Sequence, residues 1–324
     1  MTAVAATIGA STATADGHLE EITVAFFLEW PMPFQYAKVN GTYDEALGVK
    51  VNWRAFDTGT AMSAAMASGD IHIAVSQGVP PFVVATSAGQ DLQIIDVAVS
   101  YSDNDNCVVA AGHEIDQESV EELAGKKVGV PIGTAAHYGF LKQMEHFGIE
   151  VASLEVVDMA PAESAAALSQ GSLDMACGWG GALRRMLDYG NVLMTGAEKE
   201  ELGIHVFDVT SAPAAFVEEN PEIVAKFVAV TAEANAMWNS GEHTAEMLPV
   251  IANDAGNDEE TSAATLATFL FPSVDEQLSD KWLGGGTQAF LKQVADFFVA
   301  TGNIPSSRDT YSGAVNSGPL SSGQ

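Results

Sequence analysis

The chain has 324 residues, 47% of them hydrophobic, with 5 Trp and 15 Phe, enough for a large core and for two domains rather than one. A total of 43 acids against 13 bases gives a net charge of −30, a field that repels nucleic acid and anionic membrane surfaces. The acids are scattered rather than blocked, the pattern of a strongly solvated acidic surface suited to a salt-rich habitat, and no run is long and apolar enough to span a bilayer.

The opening stretch, MTAVAATIGASTATADGH, is small and apolar, with Ala13-Thr14-Ala15 ahead of Asp16. It resembles the tail of a secretory signal with an A-x-A cleavage site, although it lacks the positively charged beginning. Residues 1–15 are therefore expected to be a signal remnant or a structureless N-terminus, and the protein is expected to be exported. Glu21–Phe27 reads as a strand by its β-branched and aromatic content. It ends at Leu28-Glu29-Trp30-Pro31-Met32-Pro33, where two prolines forbid regular structure. Phe34–Leu47 is expected to be a helix weakened by Gly41 and ended by Gly48, and Val49–Phe56 alternates as a strand. An Ala/Met-rich helix follows Asp57-Thr58-Gly59-Thr60, then a strand over Ile71–Val75, a break at Ser76-Gln77-Gly78 and a short helix at Pro80–Thr86.

The second half echoes the first at a spacing of about a hundred residues, a sensible domain size. Lys127–Pro131 and Leu154–Asp158 read as strands, Pro161–Gln170 as a helix and Leu173–Cys177 as a strand. The clearest echo sets MASGDIHIA (Met66–Ala74) against LSQGSLDMA (Leu168–Ala176). Alternating strands and helices predict parallel sheets covered on both faces. Within Lys126–Tyr138 a buried strand breaks at Pro131 and Gly133, and a helix opens from Thr134. Such a helix start presents free N–H groups and the positive dipole end, which accept an anion. Beyond Asn220-Pro221, an N-cap followed by a proline at the first helical position, the chain is mostly helical, with further helices expected over Thr261–Leu270 and Gln288–Val299. Gly284-Gly285-Gly286 is a loop without a phosphate-binding pattern, and Ser317–Gln324 is expected to be disordered.

Cys107 and Cys177 sit in the apolar runs NCVVA and DMACGW. Two buried thiols are the expectation; a single bridge stays open, since spacing carries no geometry, and no zinc-ligand spacing exists. No catalytic or nucleotide-binding motif occurs either.

Ligands of open α/β sheets collect beyond the carboxyl ends of strands. The residues there are Glu29-Trp30, Asp57-Thr58, Ser76-Gln77, Gly133-Thr134-Ala135 and Gly178-Trp179, a set fit for recognition rather than catalysis. His137 reads as structural and Tyr138 as either structural or ligand-facing. Trp30 and Trp179 read as ligand walls. Asp208 lies inside the apolar run Val206–Val209, where its carboxylate needs a cation, donors or water to offset desolvation. An amine ligand would serve, and so would an arginine.

Four stretches, VNWRAFDTGTAMSAAMASGDIHIA (Val51–Ala74), ELAGKKVGVPIGTAAHY (Glu122–Tyr138), GSLDMACGW (Gly171–Trp179) and HVFDV (His205–Val209), resemble the substrate-binding proteins of ABC importers. More narrowly, they resemble the taurine-binding branch of the nitrate/sulfonate/taurine-binding family, over roughly Ile22 to Trp238. The resemblance implies an α/β fold of two lobes, each a mostly parallel sheet flanked by helices, with the ligand cleft between them. The lobes would comprise residues 16–100 plus 212–324, and residues 101–211. It further implies a periplasmic protein, expected to be a monomer without cofactor or metal, that delivers a small solute to an ABC permease in the inner membrane by lobe closure. The solute would be taurine or a related aminosulfonate, its anionic end at Thr134-Ala135 and its amine near Asp208. The expected ligand-binding set is Glu29, Trp30, Ser76, Gln77, Gly133, Thr134, Ala135, Tyr138, Trp179 and Asp208. This chain departs from the taurine pattern in having Ala135 and Ala136, not adjacent hydroxyls, before His137-Tyr138, in Ser76-Gln77-Gly78, and in a bulkier Glu29–Pro33 loop. Those departures point to an alternative, a small ammonium or methylated-amine solute held by cation–π contact. A lower-ranked alternative is an enzyme like the thiamine-pyrimidine synthases of this fold, which rely on a Cys-rich iron motif that this chain lacks.

Overall fold

The computed structural model describes residues 19–322, so the expected signal remnant at residues 1–15 lies outside the described residues. The first region runs β1 (Glu21–Phe27), α1 (Phe34–Val39), α2 (Thr42–Leu47), β2 (Lys50–Phe56), α3 (Gly59–Ala67), β3 (Ile73–Gly78), α4 (Val79–Ser87) and β4 (Leu92–Ser100). The second runs β5 (Asp105–Ala110), β6 (Lys127–Val130), α5 (Ala135–Phe147), β7 (Glu155–Asp158), α6 (Pro161–Ser169), β8 (Met175–Trp179), α7 (Gly180–Leu187), β9 (Gly190–Val192) and α8 (Gly196–Glu201). The chain returns through β10 (Phe207–Pro213) to α9 (Ala214–Glu219), α10 (Pro221–Ser240), α11 (Thr244–Ala255) and α12 (Glu259–Leu266). Helices α13 (Val274–Leu278), α14 (Gly286–Ala300) and α15 (Gly318–Ser322) complete it. Among the described residues no helix is long and apolar enough to cross a membrane.

Two five-stranded sheets result, ordered β2-β1-β3-β10-β4 and β7-β6-β8-β5-β9. In each, four strands point one way and a single strand, β10 or β5, is reversed. The reversed strands are the two by which the chain passes between lobes, β5 outward and β10 back. A reversed strand begins where its neighbours end, so the first residues of β5 and β10 stand at the carboxyl edge of the other strands. That edge is where an α/β sheet collects its ligand. The expected two-lobed α/β fold is present.

Several boundaries differ from expectation, each for a tertiary reason. The helix expected over 34–47 is two helices because Gly41 takes φ 72°, a left-handed turn that glycine makes without steric penalty. The break expected at Ser76-Gln77-Gly78 is the end of β3, extended because Gln77 and Gly78 pair with Val209 and Asp208 of β10. The lobe boundary expected at Ser211 falls inside β10, which pairs with β3 and β4 in the first sheet. The run Val206–Val209 reveals a strand but not its partners. The C-terminal stretch expected to be disordered includes α15, with Pro319 and Leu320 buried against α10 and β4. Asn316 anchors it, its N–H donating to Ile94 O at 2.8 Å.

The expectation of two free thiols is also corrected. Cys107 and Cys177 face each other directly across the antiparallel β5–β8 pair and are joined as a disulfide spanning 70 residues of sequence. The pairing of those strands, not the cysteine spacing, brings the sulfurs together. Cross-linking a loop of that length restricts the unfolded chain by about 4 kcal/mol in the chain-entropy account. Reduction, or the Cys107→Ser/Cys177→Ser double variant, is therefore expected to lower the melting temperature by several degrees. An unchanged melting temperature under dithiothreitol would argue that the bridge contributes nothing.

Candidate functional site

A small cavity of about 270 Å³, including its opening, lies between the lobes. The first lobe lines it with Phe27 at the end of β1, Gly59 opening α3, Gly78 ending β3, Pro81 of α4 and Asp208 of β10. The second contributes Asp105 at the start of β5, Thr134 and Ala135 at the start of α5 and Trp179 at the end of β8, while Tyr101 comes from the crossover.

Asp208 is the polar centre. It is buried, and its two carboxylate oxygens each accept one hydroxyl at 2.7 Å, from Ser76 Oγ and from Tyr101. Ser76 in turn accepts the Trp30 indole N–H at 2.9 Å. Ser76 has φ 60°, a left-handed conformation costly outside glycine, and such conformations cluster at functional sites. Burial pushes the Asp208 carboxyl up to about 7 against the lowering effect of both hydroxyls, and the nearby Asp105 charge adds to the rise.

Opposite, Thr134 caps α5: its Oγ1 accepts the His137 N–H at 3.4 Å and donates to Pro131 O at 2.6 Å. The N–H groups of Ala135 and Ala136 belong to the first turn, which has no intrahelical acceptors, and carry the positive helix end. His137 adds no charge there. Its Nδ1 accepts the Gly133 N–H at 3.2 Å and burial lowers its pKa to about 4. No residue lining the cavity is cationic at neutral pH.

The lobes meet at the rim through Glu29. Its carboxylate takes both Arg185 guanidinium nitrogens, at 2.9 and 3.0 Å, and its carbonyl accepts the Gly181 N–H at 3.1 Å. The approach requires glycine at 180, where φ is 56° and a Cβ would sit 2.5 Å from Glu29 O.

Four of the expected site residues, Thr134, Ala135, Trp179 and Asp208, line the cavity. The others lie outside it. Glu29 is spent on Arg185. Trp30 is buried one layer behind, packed on Tyr101 and Phe269 at 4.8 and 4.6 Å between ring centroids, and it supports Ser76 rather than walling the cavity. Ser76 itself holds Asp208. Gln77 is buried among Gly59 O, Ser63 and Ser211 and braces β3 against α3 and β10. Gly133, at φ 80°, makes the turn into α5. Tyr138 points away from the cleft, into Phe290, Phe297 and Phe298 of α14. Sequence reasoning missed Phe27, Gly59, Gly78, Pro81, Tyr101 and Asp105. Phe27, Gly59 and Gly78 could have been found, as Phe27 ends an expected strand and the two glycines lie in the short breaks that follow expected strands. Tyr101 and Asp105 flank a crossover that is visible only once LQIIDVAVS is recognised as β4.

Two lobes enclosing a small cavity, with two buried acids in its wall, between their strand edges define a solute-binding protein. The family model described as NMT1/THI5 like matches residues 31–239, and the chain belongs to that family. It is 26% identical over 289 residues to the taurine-binding periplasmic protein of Escherichia coli K12, covering 88% of each chain. Its fold is similar to that of the alkanesulfonate-binding protein SsuA from Xanthomonas axonopodis bound to MOPS, with TM-score 0.74, 19% identity, and 92% and 98% of the two chains covered. The periplasmic aliphatic sulphonate-binding protein SsuA from Escherichia coli is similar at TM-score 0.69 and 22% identity, over 90% of each chain. These relatives are binding proteins, and the enzyme alternative is set aside.

Two outcomes are expected from this geometry. Because the folded Asp208 pKa lies above its unfolded value, its contribution is fully present below about pH 4 and is lost as pH rises through about 7. The melting temperature of Asp208→Asn relative to the unsubstituted protein should therefore climb between pH 4 and 8; a flat difference would mean the carboxyl is not held protonated. Arg185→Ala removes a partly exposed ion pair that joins the lobes, so ligand affinity should fall about twofold to fivefold at low salt and less at high salt. Calorimetric titration at two ionic strengths reads both effects.

Proposed function

We propose that the protein captures a small aminosulfonate, taurine or a close relative, in an extracytoplasmic compartment and delivers it to an ABC importer. One observation carries this reading: a single small cavity has the first turn of α5 on one wall and the buried Asp208 carboxylate on another. A zwitterion only a few bonds long would meet N–H donors and the positive helix end with its sulfonate, and Asp208 with its ammonium. The ammonium would offset the desolvation that holds Asp208 near neutrality, and Trp179 and Phe27 would flank the short carbon chain. The likeness to a taurine-binding relative supports the choice of solute, and the Cys107–Cys177 bridge suits an oxidising compartment.

In this mechanism the solute bridges residues from both lobes and stabilises the closed state by its differential affinity for it. The crossovers β4–β5 and α8–β10 serve as the hinge, with Glu29–Arg185 and the Gly180-Gly181 contact as the closing surface. We divide the chain accordingly into a first lobe of β1–β4 with β10–α15 and a second lobe of β5–α8.

A second reading, an ammonium solute without a sulfonate, is favoured by the pairing of Asp105 and Asp208 with three aromatic rings, Phe27, Tyr101 and Trp179, around one cavity. A thermal-shift and calorimetric panel separates the two. Taurine, hypotaurine, alkanesulfonates, choline, betaine and simple alkylamines are offered in large excess, since a ligand that binds only the folded state raises its melting temperature. Stabilisation by taurine and none by choline is expected. Stabilisation by methylated amines alone would discard the sulfonate and leave the aromatic walls as the recognition surface.

A further inference from the structure

Asp105 makes no contact in the proposed zwitterion complex, yet it is the more conspicuous of the two cleft acids. It opens β5, is 2% exposed and lines the cavity. Its Oδ2 is buried without a hydrogen-bond partner among the described residues. An unsatisfied buried acceptor costs the full desolvation of that atom, so a native fold retains one where something else completes it. Lys199 does not. Its buried ammonium donates to the Asp105 main-chain carbonyl. Its charge lowers the Asp105 carboxyl, but burial outweighs it and holds that group at about 7.

The topology explains why a second acid stands here. Each sheet has one reversed strand that enters at the cleft edge, and each brings a carboxylate with it: Asp208 is the second residue of β10 and Asp105 the first of β5. The two lie in different lobes and line one cavity together with Tyr101. They differ in what they have left to give. Both oxygens of Asp208 already accept a hydroxyl, whereas Asp105 keeps an oxygen with no donor.

We propose that Asp105 is a ligand-contacting residue that, together with Asp208, selects a solute bearing a protonated amine with free N–H bonds. A primary ammonium has three donors and can reach both acids, joining the lobes through one nitrogen. A hydroxyl in its place has one donor and no charge, and a trimethylammonium has none. The proposal rests on the reading that the cleft takes an ammonium group and identifies the second residue that reads it.

The test compares taurine with isethionate, the same sulfonate with a hydroxyl in place of the amine, and with N,N,N-trimethyltaurine. Calorimetric titrations are run on the unsubstituted protein, Asp105→Asn and Asp105→Ser. Asparagine is close to isosteric and leaves the main-chain carbonyl that holds Lys199; serine checks that the effect follows the lost charge. Taurine is expected to bind the unsubstituted protein at least about tenfold tighter than either analogue, the scale of a charge-assisted hydrogen bond. Both variants should lose about tenfold or more for taurine while isethionate changes by less than about twofold. Equal loss for taurine and isethionate would make Asp105 a structural residue and overturn the proposal, as would no loss for taurine. If the unsubstituted protein binds ethanolamine and no sulfonate, the sulfonate reading fails by itself. Asp105 is then judged by the same variants on ethanolamine against ethylene glycol, where selective loss for the amine sustains it. If no ammonium compound binds, the assignment is overturned as well.

Discussion

The interior of the cleft is arranged around the cost of burying one carboxylate. Asp208 is removed from water on an interior strand of the first sheet, and two neutral hydroxyls do not restore what its hydration supplied, so its proton is held to about pH 7. Much of the surrounding structure serves that group. Tyr101 and Ser76 donate to it, Trp30 fixes Ser76 from behind, and the backbone at Ser76 takes a strained left-handed turn to present its hydroxyl. On the proposed reading, the desolvation of Asp208 is the free energy that a cationic ligand offsets, which makes binding specific for charge rather than only for shape.

A second constraint is topological. A parallel α/β sheet places all its helix N-termini, and hence its positive backbone ends, at one edge. The single reversed strand in each sheet is what allows acidic side chains to enter that edge from the opposite direction. Donors and acceptors can therefore face each other across a cavity of about 270 Å³ without any cationic side chain lining it. The overall charge of −30 has little to do with this arrangement. The surface acids are solvated and screened over about 8–10 Å, whereas Asp105 and Asp208 are buried in the cavity wall. The solvated shell and the two cleft acids are thus separate features of the composition.

The reach of the sequence can be judged residue by residue. Thr134, Ala135 and Asp208 were legible because each follows from a local rule: a cap before an apolar helix, a small residue in the first turn, a carboxylate inside an apolar run. Trp179 was legible because a strand visibly ends on it. Trp30 and Tyr138 were placed near the right edge but face the wrong way. Trp30 follows β1 closely enough to reach the cleft, yet its ring is drawn between Tyr101 and Phe269, residues 71 and 239 positions away in the chain. Tyr138 is turned from the cleft because α14 packs against that side of α5.

What the sequence determined by itself was the alternation of strands and helices, the doubled αβ pattern, the capped start of α5 at Thr134 and the presence of a buried acid needing a partner, since all of these depend on side-chain periodicity and backbone chemistry over a few residues. What only the tertiary structure decided was the direction of β5 and β10, and with it the Cys107–Cys177 bridge, the placement of Asp105 in the cleft and the locking of Glu29 on Arg185. Each of these depends on which strand lies beside which, and strand order is set by packing of apolar faces across the whole lobe rather than by any local stretch of chain.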